Sequence, residues 1–469
     1  MSRADALPPI IQGGMGVAVS DWRLAHAVAS AGQLGIVSGT ALDAVIARRL
    51  QNGDPDGHVR RALAAFPYPG VAEDILSTYF LEHGRQGKPY RPIPKTTIEP
   101  NLKHEQLAVV ANFVEVWLAK QSGGKVGTNF LTKLQMATPA AMYGAMLAGA
   151  DAVIMGAGIP REIPKLMDDF AAGRAGSVAI DSKLPEGIET PRLSFDPMVT
   201  FGAAPSLPRP AFLAIVTADA LAGYLARQPE TRPDGFVVEH HSAGGHNAPP
   251  RRMQDTETGY GPLDEVNLEK MAAVGLPFWL AGGRASADGM RAALAAGARG
   301  VQIGSLFAMS SDSGLRDDLR EQMLDLARQN ALVVRTDHRA SPTGFPFKVV
   351  EVAGTIGSRA TYEARPRLCD LSYLRTPVVD AQGKVRYVCA SEPDHKYLDK
   401  GGDAADLVDR LCLCNGLMAA VGLGQERADG YVEAPLLTLG SSGAGISEML
   451  ERFPDGWSAA DLIATLLAD

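Results

Sequence analysis

The sequence predicts an α/β fold, a (β/α)8 barrel of parallel strands, on three observations. Short apolar runs alternate with helical stretches eight times before residue 310. Two of these units are near copies of each other. Tyr143–Gly156 reads YGAMLAGADAVIMG and Met290–Gly304 reads MRAALAAGARGVQIG, each an Ala-rich helix followed by G-A-x-x-V-x-x-G. Finally, glycine is abundant (50 residues) while aromatics make up only 6%. That balance suits tightly turned helix–strand packing better than a sandwich of β-branched strands.

The expected strands are Pro9–Gln12, Leu34–Val37, Val126–Asn129, Ala152–Met155, Phe212–Val216, Gly235–Glu239, Pro277–Ala281 and Gly300–Ile303. After the first, Ser20 or Asp21 caps a helix over Trp22–Ser30, and Gly32 ends it. Gly149 and Gly297 supply the same turn after the two copied helices. No G-x-G-x-x-G opens a helix after strand one, which argues against a doubly wound dinucleotide fold. Gly53–Ser122 is too long for a normal crossover, and Glu105–Ala119 is periodic, so 53–122 is expected to be a helical insertion. The barrel then comprises 1–52 and 123–335, and 336–469 forms an appended, partly helical C-terminal module.

The 469 residues are 46% apolar and 21% charged, which excludes a disordered chain. Lys and Arg number 45 against 53 Asp and Glu, a net charge of −8 without a basic run, so no nucleic acid is expected as a partner. No secretory signal and no spanning apolar segment is read, and a cytoplasmic location is expected. A small-molecule substrate is the expected partner, with no membrane contact. The oligomeric state is open.

Four groups of residues could carry chemistry. Gln12-Gly13-Gly14-Met15-Gly16 follows strand one, where glycines let backbone amides approach a flat ring or an anion. Ala281-Gly282-Gly283 and Gln302-Ile303-Gly304-Ser305 follow strands seven and eight, where barrels bind phosphate. Glu239-His240-His241-Ser242-Ala243-Gly244-Gly245-His246 follows strand six and brings an imidazole to the strand ends. His240 and His241 read as surface residues, because no carboxylate or Cys completes a ligand spacing beside them. Last, all four cysteines lie late, at Cys369, Cys389, Cys412 and Cys414. Zinc or an iron–sulfur cluster on four thiolates stands against buried thiols acting as small apolar residues, and the spacing does not decide. No P-loop, G-x-S-x-G or H-E-x-x-H is present, which removes kinase and hydrolase readings.

Taken in order, PPIIQGGMG, Gly127-Thr128-Asn129, AGGH at Ala243–His246, AGG at Ala281–Gly283 and QIGSLF at Gln302–Phe307 resemble the nitronate monooxygenase (2-nitropropane dioxygenase-like) family. The likeness covers roughly residues 8–310 and continues through Ser341-Pro342-Thr343-Gly344-Phe345. It implies a TIM barrel that binds FMN non-covalently, in a longer branch related to flavin-dependent enoyl reductases. Gly14, Met15 and Gly16 would lie against the flavin ring, and Asn129 would approach it. Gly282, Gly283, Gln302, Gly304 and Ser305 would hold the phosphate. His246 matches the family's active-site histidine.

Two features depart from the pattern: Asn247-Ala248-Pro249-Pro250-Arg251-Arg252 after the GGH, and Val216-Thr217-Ala218-Asp219 without a lysine after strand five. The resemblance implies oxidation of alkyl nitronates, or similar carbanionic substrates, with O2. The alternative is an NAD(P)H- and FMN-dependent enoyl-thioester reductase, whose partner would be an acyl thioester or acyl carrier protein. A barrel that has kept flavin but lost chemistry is a third reading.

Overall fold

The structure is a computed structural model and describes residues 2–180, 191–380, 383–441 and 443–468. Its centre is the expected parallel sheet of eight strands: β1 (Ile10–Gln12), β2 (Gly35–Ser38), β3 (Val126–Leu131), β4 (Ala152–Gly156), β5 (Ala211–Val216), β6 (Gly235–Glu239), β7 (Phe278–Ala281) and β8 (Gly300–Ile303). The order around the sheet is β1–β8–β7–β6–β5–β4–β3–β2. A parallel bridge between Ile11 and Leu34 brings the two edges together, and the Gln12 amide donates to Leu34 O at 3.0 Å. Sequential neighbours pair throughout, so the sheet rolls into a TIM barrel.

Alternation within each strand sorts the side chains. Ile11, Ile36, Ile154, Leu213, Val237 and Trp279 fill the barrel interior. Their neighbours Ile10, Val37, Val153, Phe212, Phe236 and Phe278 pack outward against the helices. The Trp279 indole reaches the barrel floor and donates to Pro8 O at 3.1 Å. Gly149 (φ +78°) and Gly297 (φ +86°) sit in the left-handed turn that each copied unit needs before its strand.

The crossover from β2 to β3 holds helices Leu42–Gln51, His58–Ala64, Pro69–Tyr79 and Leu102–Lys120. The last is capped by Asn101, whose side chain accepts from His104 N at 3.1 Å. It packs between helices Trp22–Ser30 and Thr138–Leu147, and so occupies a place in the barrel's outer ring; the other three pack on it. Helix Leu102–Lys120 also buries Glu115 against Arg49 and against the Trp22 amide at 2.9 Å. The C-terminal module holds two antiparallel hairpins, Val334–Asp337 with Phe347–Val350 and Thr376–Val379 with Val385–Val388, followed by helices Leu413–Ala420, Ala444–Arg452 and Ala459–Leu466. This region is docked at both ends of its length. Phe347, Leu374, Leu413 and Leu436 share one apolar cluster against which Leu134, just after β3, packs, and the Trp457 indole donates to Leu306 O, just after β8, at 2.9 Å. Among the described residues no helix is long and apolar enough to cross a membrane.

Candidate active site

The loops at the C-terminal ends of the strands enclose a cavity of about 270 Å³. Its first wall is the turn after β1. Gln12 fixes that turn from below: its side chain accepts from Ile36 N at 2.8 Å and donates to Ser20 Oγ at 2.8 Å. Ser20 Oγ in turn accepts from Met15 N at 2.9 Å and donates to Gly13 O at 2.9 Å. The turn then presses on β3. A Cβ on Gly14 would lie 2.3 Å from Asn129 Cβ, and Asn129 Nδ2 donates to Gly14 O at 3.3 Å. Only glycine leaves the turn this close to Asn129.

The opposite wall comes from the loops after β7 and β8. Gly282 (φ +88°) and Gly283 (φ +66°) are consecutive left-handed residues. Ser286 caps helix Ala287–Ala295 through Gly289 N at 3.0 Å. The N-terminal ends of that helix and of Ala444–Arg452, and the turn at Ser305, border the same end of the cavity, with Arg284 and Glu448. Among the described residues no carboxylate pairs with Arg284. Backbone amides and helix N-termini there favour an anion.

Two polar atoms on this cavity are buried without a hydrogen-bond partner: Asn129 Oδ1 and Gln302 Oε1. Glu239, at the end of β6, also borders it, and burial pushes its carboxyl up to about 8. The structure thus gathers Gly14, Met15, Gly16, Asn129, Gly282, Gly283, Gln302, Gly304 and Ser305 around one space.

His246 stands behind this cavity, in an adjoining apolar chamber of about 150 Å³ that shares Gly14, Asn129, Glu239 and Gly245 with it. Val17, Phe130, Leu134, Phe347, Leu413 and Leu417 are among the apolar residues of the chamber wall. His246 Nε2 lies 2.7 Å from Ser341 Oγ, and the ring meets the edge of Phe347 at 4.9 Å between centroids. Burial, aided by the charge of Lys133, pushes this imidazole down to about 4.

Three features were not read from the sequence. Glu239 ends a barrel strand, the position from which side chains reach the site, and that rule alone would have selected it. The segment Thr438–Gly440 lines the cavity from the C-terminal module. Thr438 Oγ1 accepts from Gly245 N at 2.9 Å, and Gly440 N donates to Ser305 Oγ at 2.8 Å. The glycine-rich run from Gly440 to Gly445 was its only local signal. The third is Glu265, which corrects the expectation that no carboxylate stands near His240 and His241. It lies 3.0 Å from His240 Nε2 and 3.8 Å from His241 Nε2. His240 Nδ1 is already engaged by Ser242 Oγ at 2.7 Å, and His241 stacks on Tyr260 at 4.6 Å. The four cysteines are free thiols in the C-terminal module, and only Cys414 reaches the chamber. Among the described residues no three of their sulfurs lie within 4.8 Å of one another.

Residues 211–413, from β5 into the C-terminal module, match the family model described as nitronate monooxygenase. Over that stretch the chain is similar to the nitronate monooxygenase family. Solved structures of similar shape include FabK from Thermotoga maritima, at 16% identity and TM-score 0.48, covering 100% of this chain and 95% of that one. A nitroalkane oxidase from Streptomyces ansochromogenes aligns at 15% identity and TM-score 0.46, over 98% and 94% of the two chains. The enoyl reductase domain of MlnA from Bacillus amyloliquefaciens aligns at 11% and 0.40, over 76% and 67%. No curated protein matches the chain.

Proposed function

We propose that the chain is an FMN-dependent oxidoreductase that oxidises alkyl nitronates, or similarly carbanionic small molecules, with O2. The residues present fit the cofactor. Gly14, Met15, Gly16 and Asn129 would hold the ring, with the orphaned oxygens of Asn129 and Gln302 as acceptors for its N–H groups. Gly282, Gly283, Gly304 and Ser305 would hold the phosphate at the helix N-termini, beside Arg284. Bound there, FMN supplies the two-electron chemistry that no side chain in the site can perform.

The observation that carries the substrate class is the chamber, which is apolar and small. An apolar space of about 150 Å³ holds a molecule about the size of benzene. Its walls are mostly apolar. Lys133 stands near enough to depress the His246 imidazole. A nitronate already carries its negative charge, so no strong base is needed. His246, neutral and fixed by Ser341 at 2.7 Å, orients the substrate and can accept or return a proton.

The test is His246→Asn. FMN stays bound, because His246 lies outside the cradle, while turnover of ethyl nitronate falls by about a hundredfold. Unchanged turnover removes His246 from the chemistry. The wild-type pH profile adds a second check. The imidazole is depressed to about 4, so kcat/KM shows no inflection in the ordinary histidine range near 6.5. An inflection there contradicts the neutral-imidazole assignment.

A further inference from the structure

The loop after β6 gathers metal-ligating side chains that the redox chemistry does not use. From 240 to 261 the chain forms no helix, and no strand beyond a single bridge at His246. A loop of that length without structure of its own is uncommon in a compact domain and is usually functional. His240 and His241 open it and Glu265 closes it. Neighbouring residues of an extended strand point to opposite faces. Here the chain turns directly after β6, and the two rings come side by side at 4.0 Å between centroids.

Both rings meet one carboxylate oxygen. Glu265 Oε1 lies 3.0 Å from His240 Nε2 and 3.8 Å from His241 Nε2. One ligand atom from each of the three residues falls within 4.8 Å of the other two. Tetrahedral bonds of about 2.0 Å to Zn2+ set ligand atoms about 3.3 Å apart, so the two measured separations bracket the spacing an ion needs. The rings are also held in place. His240 Nδ1 lies 2.7 Å from Ser242 Oγ, and His241 stacks on Tyr260 at 4.6 Å and 5° between planes. Tyr260 is fixed in turn, its hydroxyl donating to Ala248 O at 2.6 Å. Orienting partners of this kind are what metal-bound imidazoles have. Asp264 and Glu265 set negative charge beside His241 against one ammonium, Lys348, which donates to Thr336 Oγ1.

We propose that His240, His241 and Glu265 form a Zn2+ site that ties the far end of this loop to the end of β6. Two imidazoles and a carboxylate suit zinc, and they leave a fourth position for water. In the metal-free chain the Ser242 amide donates to His240 Nδ1 at 3.1 Å, so Nε2 carries the ring proton and donates to Glu265. Binding removes that proton from Nε2, and Nδ1 takes one up beside Ser242 Oγ, so the imidazole stays neutral. Ser242 itself borders the cradle, and its carbonyl accepts from Ser441 N at 3.0 Å. The closed loop is thereby anchored to the barrel mouth.

The test uses the full-length chain, stripped with a chelator, desalted and titrated with Zn2+ against a chromogenic competitor. One zinc per chain is expected in the wild type. Glu265→Gln and His241→Ala weaken it by about a hundredfold, the upper end of what losing a partner that merely orients a ligand costs. Both positions are at least partly exposed, and circular dichroism checks that each variant is folded. Trypsin supplies the second readout, because Arg251 and Arg252 lie exposed within the loop. Zinc is expected to slow cleavage there about tenfold in the wild type and not in the variants. No stoichiometric zinc in the wild type, or equal affinity in the wild type and both folded variants, overturns the site and leaves a hydrogen bond between His240 and Glu265. Cleavage unchanged by bound zinc overturns its hold on the loop.

Discussion

Gly283→Asp yields a colourless protein. Gly283 has φ +66° and borders the end of the cradle where helix N-termini converge. Two effects add. An L side chain in that conformation is strained by about 1 kcal/mol, and a carboxylate is placed where the phosphate of FMN would sit. Together they are expected to weaken FMN binding at least a hundredfold, which corresponds to about 2.7 kcal/mol. Gly283→Ala separates the two effects, because it carries the strain without the charge, and its loss is about tenfold. The measurement is flavin per chain after desalting, followed by fluorescence titration with FMN. Full occupancy in the aspartate variant would remove this loop from the phosphate site.

The second large effect is on pH dependence, through Glu239. Its carboxyl borders both cavities, has no hydrogen-bond partner among the described residues, and is pushed up from 4.5 to about 8 by burial. The sign follows from linkage. The neutral form is favoured in the folded chain, so its stabilising contribution is full below 4.5 and is lost as the pH rises through 8. A neutral carboxyl can donate a hydrogen bond to the flavin, whereas a carboxylate in the same place repels electron-rich ring atoms. FMN affinity is therefore expected to fall about tenfold per pH unit above the carboxyl's midpoint. Glu239→Gln keeps the shape and a donor but cannot ionise, so its affinity stays level over the same range. Parallel pH profiles for the two proteins would show that Glu239 does not meet the cofactor.

The eight strands were legible because each is a local pattern. An apolar run, a glycine turn and an Ala-rich helix are all contained within about thirty residues, and the two copied units repeat them. The glycine loops were legible for the same reason. Thr438–Gly440 was not, because it meets Gly245 and Ser305 only after the chain has folded back across the barrel mouth. Glu265 escaped in the same way: no spacing rule connects it to His240 until the loop between them closes. Burial was the other hidden quantity. His246 and Glu239 are ordinary titratable residues in the sequence, and only their enclosure makes the first neutral down to about 4 and the second neutral up to about 8. The helix Leu102–Lys120 shows the converse case, where a periodic stretch is plain in the sequence but its place in the outer ring is set by packing.

The central claim is that a small carbanionic substrate in the chamber delivers its electrons to flavin held in the cradle. An anaerobic spectral titration tests it most directly, with ethyl nitronate, NADH and NADPH added in separate cuvettes to the flavin-loaded protein. Bleaching of the flavin band by the nitronate, with no comparable change from either pyridine nucleotide, is the predicted result. Rapid bleaching by NADH or NADPH, with none from the nitronate, would contradict the account and make the chain a reductase whose substrates are enoyl thioesters.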